Sequence, residues 1–150
     1  MSNYDLMIKQ VESLAEASRN YLPLMSNISA LLFESLKDIN WAGFYLVNNE
    51  NLLLGPFQGK VACVNIEKGK GVCGTALLKD ETIVVDNVHE FEGHIACDSA
   101  SNSEIVIPIH HNNKVIALLD IDSPVFNRFT NQDKIGLENL VKKLEELIEI

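Results

Sequence analysis

Two apolar runs, Glu104 to Ile109 and Lys114 to Ile121, are joined by His110-His111-Asn112-Asn113. Strand-forming residues on both sides of an Asn-containing turn make a β-hairpin. That hairpin limits the chain to folds with an antiparallel sheet. A second hairpin precedes it. Trp41 to Val47 is aromatic and apolar, Asn48-Asn49-Glu50-Asn51 is a turn signal, and Leu52 to Phe57 pairs back. Val61 to Ile66 and Thr82 to Val85 read as further short strands. Between them, the glycine-rich turn at 69–74 leads into a short helix over Val72 to Leu78.

Helices flank this β region. Leu6, Met7, Val11, Leu14 and Ala15 have helical spacing over residues 4–18. A second helix opens at Pro23 and runs to about Lys37, burying Met25, Ile28, Leu31, Leu32 and Leu36. Thr130 caps a last helix to about Ile148, with Ile135, Leu137, Leu140, Val141, Leu144 and Leu147 apolar. Residues 86–102 form a long polar stretch. His89, Phe91, His94 and Ile95 within it favour a folded, functional loop over a disordered one. The order predicts an α+β domain over residues 1–150, with a helical N-terminal segment to about residue 38. Its antiparallel sheet carries the N- and C-terminal helices on one face and a loop-built pocket on the other.

At 150 residues the chain is long enough for a real core in one domain. Its net charge of −9 disfavours nucleic acid and makes a cationic group the more natural partner. The N-terminus lacks the basic and apolar regions of a secretory signal, and no apolar run approaches the ~18 residues of a membrane helix. The expectation is a cytoplasmic protein with no membrane association. There, structural disulfides are rare and cysteines in pairs are more often redox-active or metal-binding.

The chain has three cysteines, Cys63, Cys73 and Cys97. An odd count argues against a purely structural disulfide framework. No tight Cys or His pair of the zinc-binding type occurs, so no metal is expected. Cys73 follows Gly-Lys-Gly at a helix start, where backbone amides favour a thiolate. Cys97 lies near His94, among small hydroxyl residues. Read from residues alone, the three thiols are either redox-active or ordinary.

Glu104 opens one strand of the later hairpin, and Asp120 and Asp122 close the other. Antiparallel pairing makes the three carboxylates neighbours, with Asp120 and Asp122 on one strand face. They are either solvated strand-end charges or a set that binds a cation or shares a proton. Trp41, the one tryptophan, is either core or a pocket wall, and Tyr45 falls on the same strand face. The glycines at 69, 71 and 74 lack the Lys-Ser/Thr ending of a phosphate loop.

Longer motifs carry a resemblance. Trp41-Ala42-Gly43-Phe44-Tyr45, Gly55-Pro56-Phe57-Gln58-Gly59, Gly69 to Ala76, Gly93-His94-Ile95-Ala96-Cys97-Asp98, Ser101 to Val106 and Leu119 to Ser123 closely resemble the free methionine-R-sulfoxide reductases. These enzymes are built on a GAF domain. The resemblance covers nearly the whole chain. It implies reduction of free L-methionine (R)-sulfoxide, part of the defence against oxidative stress, with thioredoxin as electron donor and no bound cofactor.

By motif, the resemblance makes Cys97 the nucleophile and Cys63 its resolving partner. Cys73 becomes an auxiliary or alternative resolving thiol. Glu104, Asp120 and Asp122 are placed around the substrate, and Trp41 and Tyr45 in the pocket. Residue chemistry fits these roles. Crowded carboxylates raise one another's pKa, so one can give a proton to the departing sulfoxide oxygen. Ionised ones can hold the α-ammonium of a free amino acid, a cation that a peptide-bound residue lacks. Resemblance and amphipathic N-terminal helices are compatible with a homodimer. The competing expectation is a non-catalytic GAF domain that senses a small molecule.

Overall fold

Successive residues of the central strands serve two different cores. The computed structural model describes residues 3–94 and 100–150. It holds one six-stranded antiparallel sheet in the order β3-β2-β1-β6-β5-β4. The strands are β1 (Trp41–Asn48), β2 (Asn51–Gly59), β3 (Asn65–Ile66), β4 (Ile83–Val85), β5 (Ser103–His111) and β6 (Lys114–Ser123). Ile105, Ile107 and Ile109 of β5, with Ala117, Leu119 and Ile121 of β6, pack against the helices. Val106 and Leu118, from the alternate positions, join a second cluster on the opposite face. Full burial of such a Leu or Ile side chain contributes about 1.5–3 kcal/mol.

The helical face is covered by α1 (Asn3–Ala17), α2 (Tyr21–Ser35) and α4 (Asn131–Leu147). Thr130 caps α4 with a full capping box. Its hydroxyl accepts from Asp133 N, and Asp133 Oδ2 accepts from Thr130 N at 2.8 Å. Asp133 Oδ1 also accepts from Tyr4 Oη at 2.6 Å, which docks α1 on α4. The C-terminal end is joined to the α1–α2 connection by Tyr21 N donating to Glu149 O and Glu149 N donating to Arg19 O.

The fold expectation holds, with local corrections. Asn20, not Pro23, starts α2: its side chain accepts from Leu22 N at 3.0 Å. Pro23 lies inside the first turn, where a missing N–H costs nothing. Leu31 and Leu36 are half-buried, while Leu6 and Ile135 are exposed. The third strand shrinks to Asn65–Ile66, because β2 offers only Leu52 and Leu53 as ladder partners. Val61 and Val64 are exposed outside it.

The second face of the sheet carries α3 (Gly71–Lys79) and the loops around it. The segment after β4 folds into a 3-10 turn, Val88–Glu90, tied to the residue before β5 by Val88 N donating to Asn102 O. Among the described residues, no helix is long and apolar enough to cross a membrane.

Candidate active site

The cavity lies on the α3 side of the sheet, where three central strands present polar residues. In the ladder Glu104 stands opposite Asp122, and Asp122 opposite Trp41. Asp120 pairs with Gly43 on one side and Val106 on the other. Strand alternation therefore puts Trp41, Tyr45, Glu104, Asp120 and Asp122 on one face. All five line a cavity of about 50 Å³, together with Cys73 of α3.

Gly43 makes this surface continuous. A Cβ there would lie 2.3 Å from Phe57 Cβ, so β2 approaches β1 as closely as it does only over a glycine. The β1–β2 register shifts between Gly43 and Tyr45, a bulge that also accommodates Pro56.

Glu104 and Asp120 are 7% and 5% exposed. Burial pushes the Glu104 carboxyl well above the usual range, and the Asp120 and Asp122 charges push it further. Asp120 is also raised by burial, although hydrogen bonds from Glu104, Cys73 and Asp122 pull it back. The nest therefore holds a proton at a pH where an exposed carboxylate has none. Asp120 Oδ1 is buried and has no hydrogen-bond partner among the described residues.

Cys73 Sγ donates to Asp120 Oδ2 at 3.4 Å and lies 3.9 Å from Glu104 Oε2. Its position in the first turn of α3 favours a thiolate, but its neighbours oppose one. Burial raises the thiol well above its ordinary pKa, and the Asp120, Glu104 and Asp122 charges raise it further. Two carboxylates at contact distance outweigh partial charges on backbone amides. Burial and the carboxylate charges both favour the protonated thiol, which donates to Asp120.

Trp41 forms the apolar wall. Its ring stacks on Phe57 at 5.1 Å and 14°, and on Tyr45 at 5.9 Å and 23°. Trp41 Nε1 donates to Lys60 O at 3.1 Å, and Tyr45 Oη donates to Cys63 O at 2.9 Å. These two bonds fasten the connection between β2 and β3 to the floor of the cavity. Cys63 lies in that connection and is disulfide-bonded.

The GAF domain family matches residues 8–148. The free methionine-R-sulfoxide reductase of Escherichia coli is 52% identical over 140 residues, covering 93% of this chain and 85% of that protein. The chain belongs with the free methionine-R-sulfoxide reductases of the GAF family. The reduced form of Staphylococcus aureus fRMsr superposes with a TM-score of 0.95 at 51% identity, covering 99% of this chain and 97% of that one. The Neisseria meningitidis free methionine-R-sulfoxide reductase, in complex with its substrate, gives a TM-score of 0.91 at 39% identity, covering 95% and 86%.

Within this GAF domain the structure brings Cys73, Glu104, Asp120, Asp122, Trp41 and Tyr45 into one cavity. Cys63 lies beside it, held through its carbonyl by Tyr45. Cys97, the expected nucleophile, lies outside the described residues. The structure adds Lys70 and Ser101 to the cavity lining. Lys70 occupies the N-cap position of α3, which the Gly-Lys-Gly pattern before Cys73 marks in the sequence. Ser101 is buried and accepts from Asn40 Nδ2 at 3.2 Å, a contact across 61 residues that no local pattern signals.

Proposed function

We propose that this GAF domain reduces free L-methionine (R)-sulfoxide to L-methionine, in the cytoplasm and with thioredoxin as electron donor. The observation that carries the reading is a buried carboxylate nest beneath a stacked tryptophan, in a chain 52% identical to a reductase of that name.

The nest supplies two things. Its ionised members hold the substrate α-ammonium, and its retained proton, closest to Glu104, goes to the sulfoxide oxygen. Trp41 packs against the S-methyl group and selects the R epimer by shape. Lys70 is the cation that the substrate carboxylate meets at the cavity. The thiolate of Cys97 attacks the sulfoxide sulfur. Oxygen passes to Cys97 as sulfenic acid with uptake of one proton, and the thioether leaves as methionine. Cys63 then condenses with the sulfenic acid, releasing water and forming a disulfide. A thioredoxin dithiol reduces that disulfide by exchange. Both electrons come from thiols, so the cycle needs no bound cofactor. Cys73 keeps its proton and orients Asp120.

The test is NADPH consumption coupled through thioredoxin reductase and thioredoxin. Free R-sulfoxide should be turned over, and free S-sulfoxide and a peptide-bound sulfoxide should not. Turnover of the peptide-bound form at a comparable rate would remove the role given to the ammonium nest. We further propose that the protein works as a homodimer, for which sedimentation equilibrium should give twice the 16.7 kDa chain mass.

A further inference from the structure

The same cavity has the makings of a coordination site. We propose that Cys73, Glu104 and Asp120 bind a zinc ion, one per chain. One ligand atom from each residue lies within 4.8 Å of the others. Cys73 Sγ stands 3.4 Å from Asp120 Oδ2 and 3.9 Å from Glu104 Oε2. Tetrahedral zinc, with bonds of about 2.3 Å to sulfur and about 2.0 Å to oxygen, sets neighbouring ligand atoms roughly 3.5 Å apart. Both pairs that involve Cys73 stand within a few tenths of an ångström of that spacing, and the third pair lies within 4.8 Å.

A second observation points the same way. Asp120 is 5% exposed, and its Oδ1 has no hydrogen-bond partner among the described residues. A buried carboxylate oxygen without a donor is costly, and a cation gripped by both oxygens of Asp120 would satisfy it. The donor set decides which cation. Magnesium and calcium take six or more oxygen ligands, whereas a thiolate with two carboxylates suits zinc or its spectroscopic substitute cobalt. The scaffold is rigid. Glu104 and Asp120 come from two paired central strands, and Cys73 from the first turn of a helix packed on them. Binding exchanges the thiol proton for the metal, with no change of oxidation state. The cavity leaves room for a water as fourth ligand.

The consequence for catalysis rests on the proposed reductase reading. Zinc and the substrate ammonium then compete for the same carboxylates, so each excludes the other. Zinc would hold the enzyme in a reversibly silent state.

The experiment uses the Cys63→Ser/Cys97→Ser double variant, in which Cys73 is the one remaining thiol. Titration with Co2+ should give one ion per chain and a sulfur-to-cobalt charge-transfer band, and Zn2+ should bleach it. Cys73→Ser on that background should abolish the band, and Asp120→Asn should weaken binding at least about tenfold. Absence of binding at millimolar Co2+, or binding indifferent to both substitutions, overturns the site. Asp120→Asn removes a buried charge, so it tests the site even if the Cys73 variant fails to fold. Adding free methionine (R)-sulfoxide should displace Co2+. Cobalt that responds to both substitutions but ignores the sulfoxide upholds the site and overturns the competition, and with it the substrate placement proposed above.

Discussion

Glu104 and Asp122 stand directly opposite each other in the β5–β6 ladder. Like charges in that relation destabilise a sheet, and here Asp120 on the same face adds a third carboxyl. A protein keeps such an arrangement for its chemistry at the expense of its stability. We expect Glu104→Gln to raise Tm by about 2–6 °C near pH 8 and to lower turnover at least about tenfold. Calorimetry and the coupled assay read the two effects separately. A variant that is both less stable and fully active would contradict the role of the nest.

The pH dependence has a definite sign. Glu104 and Asp120 both have folded pKa values above their ordinary ones. Their contribution to stability is fully present below the usual carboxylate range, where both states are protonated. It is lost as pH rises through the raised folded values, because the unfolded carboxyls ionise first. The stability gap between Glu104→Gln and the parent chain should therefore widen as pH rises from about 4 toward neutrality. Denaturant midpoints across that range measure it, and a gap that narrows would show the nest to be favourably ionised.

Cys73 should be slow to react. With Cys63 and Cys97 replaced by serine, alkylation of the native chain near pH 8 should run at least about tenfold slower than after unfolding. Cys73→Ser, which keeps a donor for Asp120, should retain turnover within a few-fold. Cys97→Ser should lose it. The reverse pattern would make Cys73 the nucleophile.

His110 links the domain on the side away from the cavity. Its Nε2 meets Asp80 Oδ1 at 2.6 Å and its Nδ1 meets Glu145 Oε2 at 3.1 Å. Burial disfavours its charge, but hydrogen bonds to the two carboxylates outweigh burial and raise its pKa above 6.5. The imidazolium thus adds stability below that value, and the benefit fades as pH rises through the folded pKa. His110→Gln should lower Tm more at about pH 5.5 than at about pH 9. An equal loss at both would mean that packing, not charge, is what His110 provides.

Gly43 marks a close approach of β1 and β2. Gly43→Ala would put a methyl 2.3 Å from Phe57 Cβ and 2.7 Å from its Cα, so backbone has to move. We expect a loss of about 1–3 kcal/mol and a raised KM, because Trp41 and Tyr45 lie on either side. Urea unfolding and initial-rate kinetics would show both. Unchanged stability would mean that the bulge can slide.

The elements were legible where local pattern decides them. Apolar runs on both sides of His110-His111-Asn112-Asn113 announce β5 and β6, and Thr130 announces α4. Asp120 and Asp122 were legible as same-face residues because strand period is two. Cys73 was misleading for a physical reason. Its local sequence is a helix start, which favours thiolate, whereas Asp120 and Glu104 reach it from 47 and 31 residues away and reverse the preference. The 61–64 stretch reads as strand because Val61 and Val64 suit one, but a strand needs a ladder partner, and on that edge β2 pairs only with Asn65 and Ile66.

The alternation along β5 and β6 divides neighbouring positions between two kinds of selection. Ile105, Leu119 and Ile121 answer to the packing of the helices, while Glu104, Asp120 and Asp122 answer to whatever occupies the cavity. A lineage can therefore exchange its ligand by changing every second codon of two strands, and the architecture passes to the descendant intact.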